Sequence, residues 1–411
     1  MSRFGWVLAV VIGGGVGGVS AQEMALGPST GGIAVLHQAE RMLGHTKRVL
    51  LIGAHPDDED TELLTTLVRG EGAEAAYLSL SRGEGGQNLI GPELGEALGL
   101  IRTEELLAAR ALDGARQYFT RAFDFGFSKT IEETARFWPR DSVLKDVVRI
   151  VRRFRPQIII GTFTGTPRDG HGQHQMSGWV AEEAFRVAGD PNRFPELMRQ
   201  EGLGPWTPVK FYRSARFTAG PATVTLNGGV LDLDIGQSYR QIAMRGRSLH
   251  RSQDMGVLQE AGPSEVRLTL VGGEGDGGDK LWSGVDTAAG PLPGESIEAR
   301  DRHRHAAIAA AIRTGLVFDA TGQDGRLVPG QRVMVRLTAW NAGAQPATVE
   351  MELLAPSAWR VTQCPSPRVR IEPGNVAVCE VEVEVAGAAQ FSSPYFLWRG
   401  LGGGGQRSRE P

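Results

Sequence analysis

Arg48-Val-Leu-Leu-Ile-Gly53 runs directly into Ala54-His55-Pro56-Asp57-Asp58-Glu59-Asp60. The first stretch is a near-continuous apolar run without polar alternation, the pattern of a strand covered on both faces. The second turns abruptly acidic around a histidine. Leu63, Leu64, Leu67 and Val68 then recur at helical spacing, so a helix is expected over about 57–69. The same cycle returns downstream: a strand over 75–80, a glycine-rich loop Ser81-Arg82-Gly83-Glu84-Gly85-Gly86-Gln87-Asn88 and a helix over about 95–112. A helix over 142–154, a strand over 157–163 and a helix over 177–187 complete the series. Strands alternating with helices imply an α/β fold with a mostly parallel sheet flanked by helices, in which ligands sit beyond the carboxyl ends of the strands.

Outside this core the texture changes. VMVRLTAW (333–340), ATVEMELL (347–354), RVRIEP (368–373) and VAVCEVEVEV (376–385) alternate with a period of two, as antiparallel strands of a C-terminal β-sandwich do. The expected organisation is a segment 1–21, an α/β domain over 22–290, a helical linker over 291–315, a sandwich over 316–400 and a low-complexity tail over 401–411. The strand pattern stops abruptly after Trp398, which leaves open whether that domain is complete.

Residues 1–21 read as a secretory signal: Arg3 is the positive start, Trp6 to Ile12 the apolar stretch, and Val19-Ser20-Ala21 a small-residue cleavage site. The apolar part is far shorter than the ~20 residues of a spanning helix, so export to a periplasmic or extracellular compartment is expected rather than a membrane anchor. Cys364 and Cys379 are the only cysteines, and in an oxidising compartment the sequence leaves a bridge between them open.

The 411 residues carry a formal net charge of −3 with no long basic run, which excludes a general nucleic-acid footprint. Glycine, at 56 residues, is about twice its usual share. Loops therefore carry much of the interest.

His55 with its neighbouring aspartates follows one strand, and His171-Gly-Gln-His174 follows another in the same position, so both clusters fall on one rim of the sheet. A histidine and an aspartate from one junction with a histidine from the other form a three-ligand N/O site with an open fourth position, as in catalytic zinc centres, where bound water becomes a nucleophile near neutral pH. One carboxylate and one histidine are left over, the complement a hydrolase needs for proton transfer.

Ala54–Glu59 (AHPDDE) after an apolar strand, SRGEGGQN, the helical IRTEELLAA and a late HxxH together resemble the PIG-L/LmbE family of metal-dependent N-deacetylases. The resemblance spans about residues 47–290. It implies a Rossmann-like fold, one Zn2+ per chain with Fe2+ as the alternative, and N-acetylglucosaminide substrates, whether small molecules or glycoconjugates. Residue by residue, it implies His55, Asp58 and His174 as metal ligands and Asp57 as the general base. It implies His171 as a positively charged partner of the oxyanion. Arg102 resembles a substrate-contacting arginine, with Arg82 and Asn88 as further substrate-side candidates. Arg247-Ser-Leu-His250 is a third polar cluster, with His250 either structural or a pocket wall. In the sandwich, which resembles NEW3-type modules of carbohydrate-active enzymes, Trp359 is either a core residue or a sugar-stacking one. The rival functions are a metal-dependent amidase acting on another N-acyl amine and a non-catalytic carbohydrate-binding protein. The intact set of five site residues argues against the second.

Overall fold

The computed structural model describes residues 7–12, 19–20, 32–215, 222–253, 256–273, 280–289, 296–356 and 358–391. They fall into two compact units, one over 41–299 and the other formed by 300–391 together with the described residues before 41.

The first unit is built on a seven-stranded sheet of β1 (Arg48–Gly53), β2 (Glu74–Ser79), β3 (Arg116–Phe119), β4 (Ile158–Gly161), β5 (Lys210–Ser214), β6 (Val224–Asn227) and β7 (Glu265–Gly273), in the order β3-β2-β1-β4-β5-β7-β6. The five strands from β3 to β5 pair in parallel, and β7 and β6 add antiparallel to that edge. Strand β1 is central and buried along its whole length. Its side chains alternate between the faces: Leu50 and Ile52 pack with Val147, Val151, Val180 and Ala184 on one side, Val49 and Leu51 with Leu63, Leu67, Tyr77 and Leu106 on the other. Burial on both faces leaves Arg48, at its start, as the one polar position of the strand, which is why it reads as a near-continuous apolar run from Val49 onward.

The helices flanking the sheet include α1 (Thr61–Thr65), α2 (Glu96–Asp113), α3 (Arg140–Phe154), α4 (Gly172–Val187) and α5 (Tyr239–Arg247). Two of them differ from expectation where the chemistry lies. Helix α1 starts at Thr61 because the Asp60 side chain caps it, accepting from the Leu63 amide at 3.0 Å. Residues 54–60 are thereby released as a loop, and the helical path continues past Thr65 as a wider π-type turn over Thr66–Gly70. Helix α4 begins five residues earlier than the apolar spacing predicts, with His171 as its N-cap residue and His174 in its first turn. Gly172 makes that start feasible: its amide donates to Ser128 O at 2.8 Å, and a side chain there would run into the Thr130 carbonyl.

The second unit is an antiparallel sandwich. One sheet carries Leu316–Gly322, Arg332–Asn341, Val376–Glu384 and Arg360–Val361; the other carries Arg368–Ile371, Ala347–Leu354, Val7–Ile12 and Val19–Ser20. Val333, Val335, Leu337 and Ala339 face the core while Arg332, Arg336 and Trp340 face out, the alternation that identified these strands. Trp359 is half-buried and packs against this core. Parts of the segment expected as a signal are thus strand, Val7–Ile12 lying against Ala347–Leu354 and Val19–Ser20 against Ala9–Val10; its remainder and the tail 401–411 lie outside the described residues. The expected linker is in large part a regular helix, Ile297–Thr314, whose Ala311 is buried in the sandwich core, so the second unit begins near residue 300 rather than 316. Among the described residues no helix is long and apolar enough to cross a membrane.

Cys364 and Cys379 form a disulfide across 15 residues, with Cα atoms 5.8 Å apart, inside the sandwich core. A loop of that length contributes about 3 kcal/mol by restricting the unfolded chain. The double Cys→Ser variant is expected to lower sandwich stability by that order, read by chemical denaturation. Mass spectrometry of the unreduced protein should find no free thiol.

Candidate metal centre

Strands β1 and β4 are parallel neighbours, so the loop after β1 and the approach to α4 leave the same edge of the sheet. This brings the two histidine motifs together. One ring nitrogen from each of His55, His171 and His174 lies within 4.8 Å of the others. Asp58 sits between two of them, with Oδ2 at 3.2 Å from His55 Nδ1 and Oδ1 at 3.3 Å from His174 Nε2. Its Oδ2 also accepts from the amides of Ala54 (3.0 Å) and His55 (2.7 Å), which fixes the carboxylate against the end of β1. The edge therefore gathers four donors, His55, Asp58, His171 and His174.

The donor set suits a divalent ion of the zinc type, three imidazoles and a carboxylate. Two further observations of the site agree. His174 Nδ1–H donates to Asp169 O at 3.1 Å, which turns Nε2 toward Asp58 Oδ1 at the centre. His171 Nδ1 is buried with no hydrogen-bond partner. Phe163 stacks on the His174 ring at 3.8 Å between centroids and shields one flank.

The electrostatics separate the two aspartates. Burial would raise the Asp58 carboxyl, but His174 and His55 outweigh it and hold the group well below the usual carboxylate range. For Asp57 burial wins: its carboxyl is raised despite the opposing pull of Arg102. Its side chain is about 17% exposed, open to a substrate, and it lies in none of the contacts that join Asp58 to the histidines. Burial would lower His55, yet Asp58 and Asp124 together raise it. His171 is pushed down to about 4 by burial and by His174 and His55.

The other sequence candidates fall in different places. Arg102 is buried, not a solvated helix charge, and its Nη2 donates to Asp57 Oδ1 at 2.9 Å. Arg82 lies over the Phe119 ring at 3.9 Å and donates to Thr103 Oγ1. Asn88 serves its own loop, donating to Glu93 O and accepting from the Ile90 amide. Glu84 ties the glycine-rich loop to the Asp124 amide at 3.1 Å. His250 is fully buried and donates to Glu59 Oε1 at 2.8 Å, so it is a supporting residue and not a pocket wall.

Two residues near the centre carry no motif. Asp124 places Oδ2 3.8 Å from His55 Nε2 and accepts from Gln173 Nε2 at 2.9 Å. Phe127, 74% exposed, sits with its ring 6.0 Å from that of His171. Both come from the Asp124-Phe-Gly-Phe127 segment, whose only sequence signal is an acidic residue beside a glycine between aromatics.

Residues 50–185 match the PIG-L family model, described as GlcNAc-PI de-N-acetylase. The chain is 31% identical over 188 residues to a 1D-myo-inositol 2-acetamido-2-deoxy-alpha-D-glucopyranoside deacetylase of Thermobispora bispora, covering 41% of this chain and 59% of that protein. It is 34% identical over 185 residues to the enzyme of the same name from Geodermatophilus obscurus, covering 41% and 60%. It is 32% identical over 148 residues to a diacetylchitobiose deacetylase of Thermococcus kodakarensis, covering 36% and 52%. The chain thus spans somewhat over half the length of these curated relatives. Both histidine motifs and strand β4 fall within the matched region, which begins inside β1.

Proposed function

We propose that this protein is an exported, zinc-dependent N-deacetylase that hydrolyses the acetamide of an N-acetylglucosamine-containing substrate. The observation that carries the reading is the meeting of His55, Asp58 and His174 at one sheet edge, with Asp57 adjacent but free of the ligand contacts. The names of the matched relatives, deacetylases of N-acetylglucosaminyl-inositol and of diacetylchitobiose, support the substrate class.

In this reading His55, Asp58 and His174 hold the ion. Bound there, a divalent ion supplies Lewis acidity toward the acetamide carbonyl and makes water acidic enough to attack near neutral pH. Asp57 accepts the proton that the attacking water loses as its oxygen bonds to the carbonyl carbon. The raised carboxyl brings this base closer to neutral pH, where a proton acceptor works best. When the C–N bond breaks, Asp57 returns that proton to the nitrogen, and acetate and a free amine leave. His171, beside the centre, offers a ring N–H to the developing oxyanion. Phe127 stands at the rim as an exposed aromatic face for a sugar ring.

The test is acetate release from a panel of N-acetylglucosamine glycosides, run beside metal analysis of the purified protein. About one divalent ion per chain is expected, with hydrolysis lost on chelation and regained on adding Zn2+. Full activity in metal-free protein overturns the reading. Release confined to N-acyl amines without a sugar would make the protein an amidase of different substrate class.

A further inference from the structure

Arg247-Ser-Leu-His250 contributes nothing to the metal-binding set, yet its side chains end on the loop that carries Asp57. Asp57 has φ of 99°, one of three non-glycine residues with positive φ among the described residues. L side chains avoid that region, and a residue kept there is held by its surroundings. The departure has a geometric use. In extended chain, successive side chains point to opposite sides, whereas here Asp58 must reach the histidines while its neighbour addresses the same place from beside them.

The hold comes from three directions. The Asp57 amide donates to Glu59 Oε2 at 2.9 Å, its carbonyl accepts from Arg247 Nη1 at 2.7 Å, and its Oδ1 accepts from Arg102 Nη2 at 2.9 Å. Arg247 Nη1 also reaches Glu59 O at 3.4 Å, bridging the two carbonyls on either side of Asp58. Arg102 adds bonds to Pro56 O and Gly83 O. Glu59 is itself fully buried and fixed by His250 Nε2 at 2.8 Å and Arg110 Nη2 at 3.5 Å. Arg110 in turn pairs with Asp113. Arg247 lies at the end of α5 and His250 just beyond it, so one segment supplies both supports.

We propose that Arg247 directly, and His250 through Glu59, are positioning residues that hold Asp57 in its positive-φ conformation and so aim its carboxylate at the reacting centre. The proposal rests on Asp57 being the proton acceptor. It also gives the third polar cluster of the sequence a role that neither metal binding nor substrate contact supplies. A base displaced by about 1 Å loses on the order of 10²-fold in rate, whereas substrate binding elsewhere in the pocket is unaffected.

The test uses the full chain with Arg247→Met, which removes the donors but keeps the apolar stem, and Arg247→Lys, which keeps one donor. His250→Gln, which keeps a donor amide, probes the second support and serves if the methionine variant does not fold. For Arg247→Met, metal content and KM should match the parent while kcat falls about 10- to 100-fold. Amide hydrogen exchange in peptides covering His55–Glu59 should speed up relative to those covering β1. Arg247→Lys should recover part of both. An unchanged kcat, a raised KM at constant kcat, or loss of the metal would each overturn the proposal, the second because it would make Arg247 a substrate contact. If the parent releases no acetate from any substrate, the deacetylase reading falls on its own. The exchange comparison then decides the clamp: faster exchange confined to the loop supports it, unchanged exchange overturns it.

Discussion

Asp57→Asn is expected to leave the metal near one per chain and to lower kcat by about 10²–10⁴-fold, the usual loss when general-base assistance is removed. The amide has almost the same shape as the carboxylate and can still accept from Arg102 Nη2, so the loop should keep its conformation. What it cannot do is take a proton from water. KM should change little, because the substitution removes an interaction that matters in the transition state and not in the bound substrate. Steady-state kinetics with metal analysis on the same preparation check this. If Asp57→Asn empties the site, Asp57 is a ligand; if it leaves the rate intact, the base lies elsewhere.

Replacing His55, Asp58 or His174 with alanine should make metal content and rate fall together. Removing a ligand is expected to cost more affinity than the 10- to 100-fold associated with losing a residue that merely orients one. Asp58→Ala should be the most severe of the three, because that carboxylate touches both histidines and also accepts from two backbone amides at the end of β1. His171→Ala is the informative contrast. Its ring lies as close to the cluster as those of His55 and His174, with centroids 5.2 Å and 3.8 Å from them. Retained metal with a reduced rate would give it the oxyanion role; metal lost in parallel would make it a ligand in place of Asp58. Titrating Zn2+ into each metal-free variant and following binding by calorimetry separates the two.

The contrast between the two aspartates shows where a sequence stops being informative. Asp57 and Asp58 are chemically identical and adjacent, and no pattern in the chain distinguishes them without appeal to relatives. The folded protein separates them by two effects of opposite sign. His174 and His55 pull Asp58 down, while burial, with Asp58 beside it, raises Asp57 against Arg102, His250 and His55. His171 shows the converse. Its proton affinity depends on its neighbours, since burial together with His174 and His55 pushes it down to about 4.

Supporting residues were the least legible. Glu59 reads as one more acidic residue at a helix start, and helix capping explains such a residue equally well. Its actual role depends on His250, nearly two hundred positions later, and no local spacing encodes that meeting. Asp124 and Phe127 were silent for the same reason. The start of α4 was misplaced because apolar periodicity begins only where the helix meets the core, whereas its first turn faces the site with Gly, Gln and His.

By itself, the sequence determined the alternation of strands and helices, the period-two sandwich and the placement of both histidine motifs at strand ends. These follow from burial patterns and chain direction, which are properties of short segments. Only the tertiary structure decided that β1 and β4 are neighbours, that Cys364 and Cys379 are joined, that Asp57 is held at positive φ, and that Arg102 and Arg247 bear on it. Those facts depend on contacts between residues distant in the chain. Hydrogen bonds and charge effects act over a few ångströms of space and carry no trace in sequence separation.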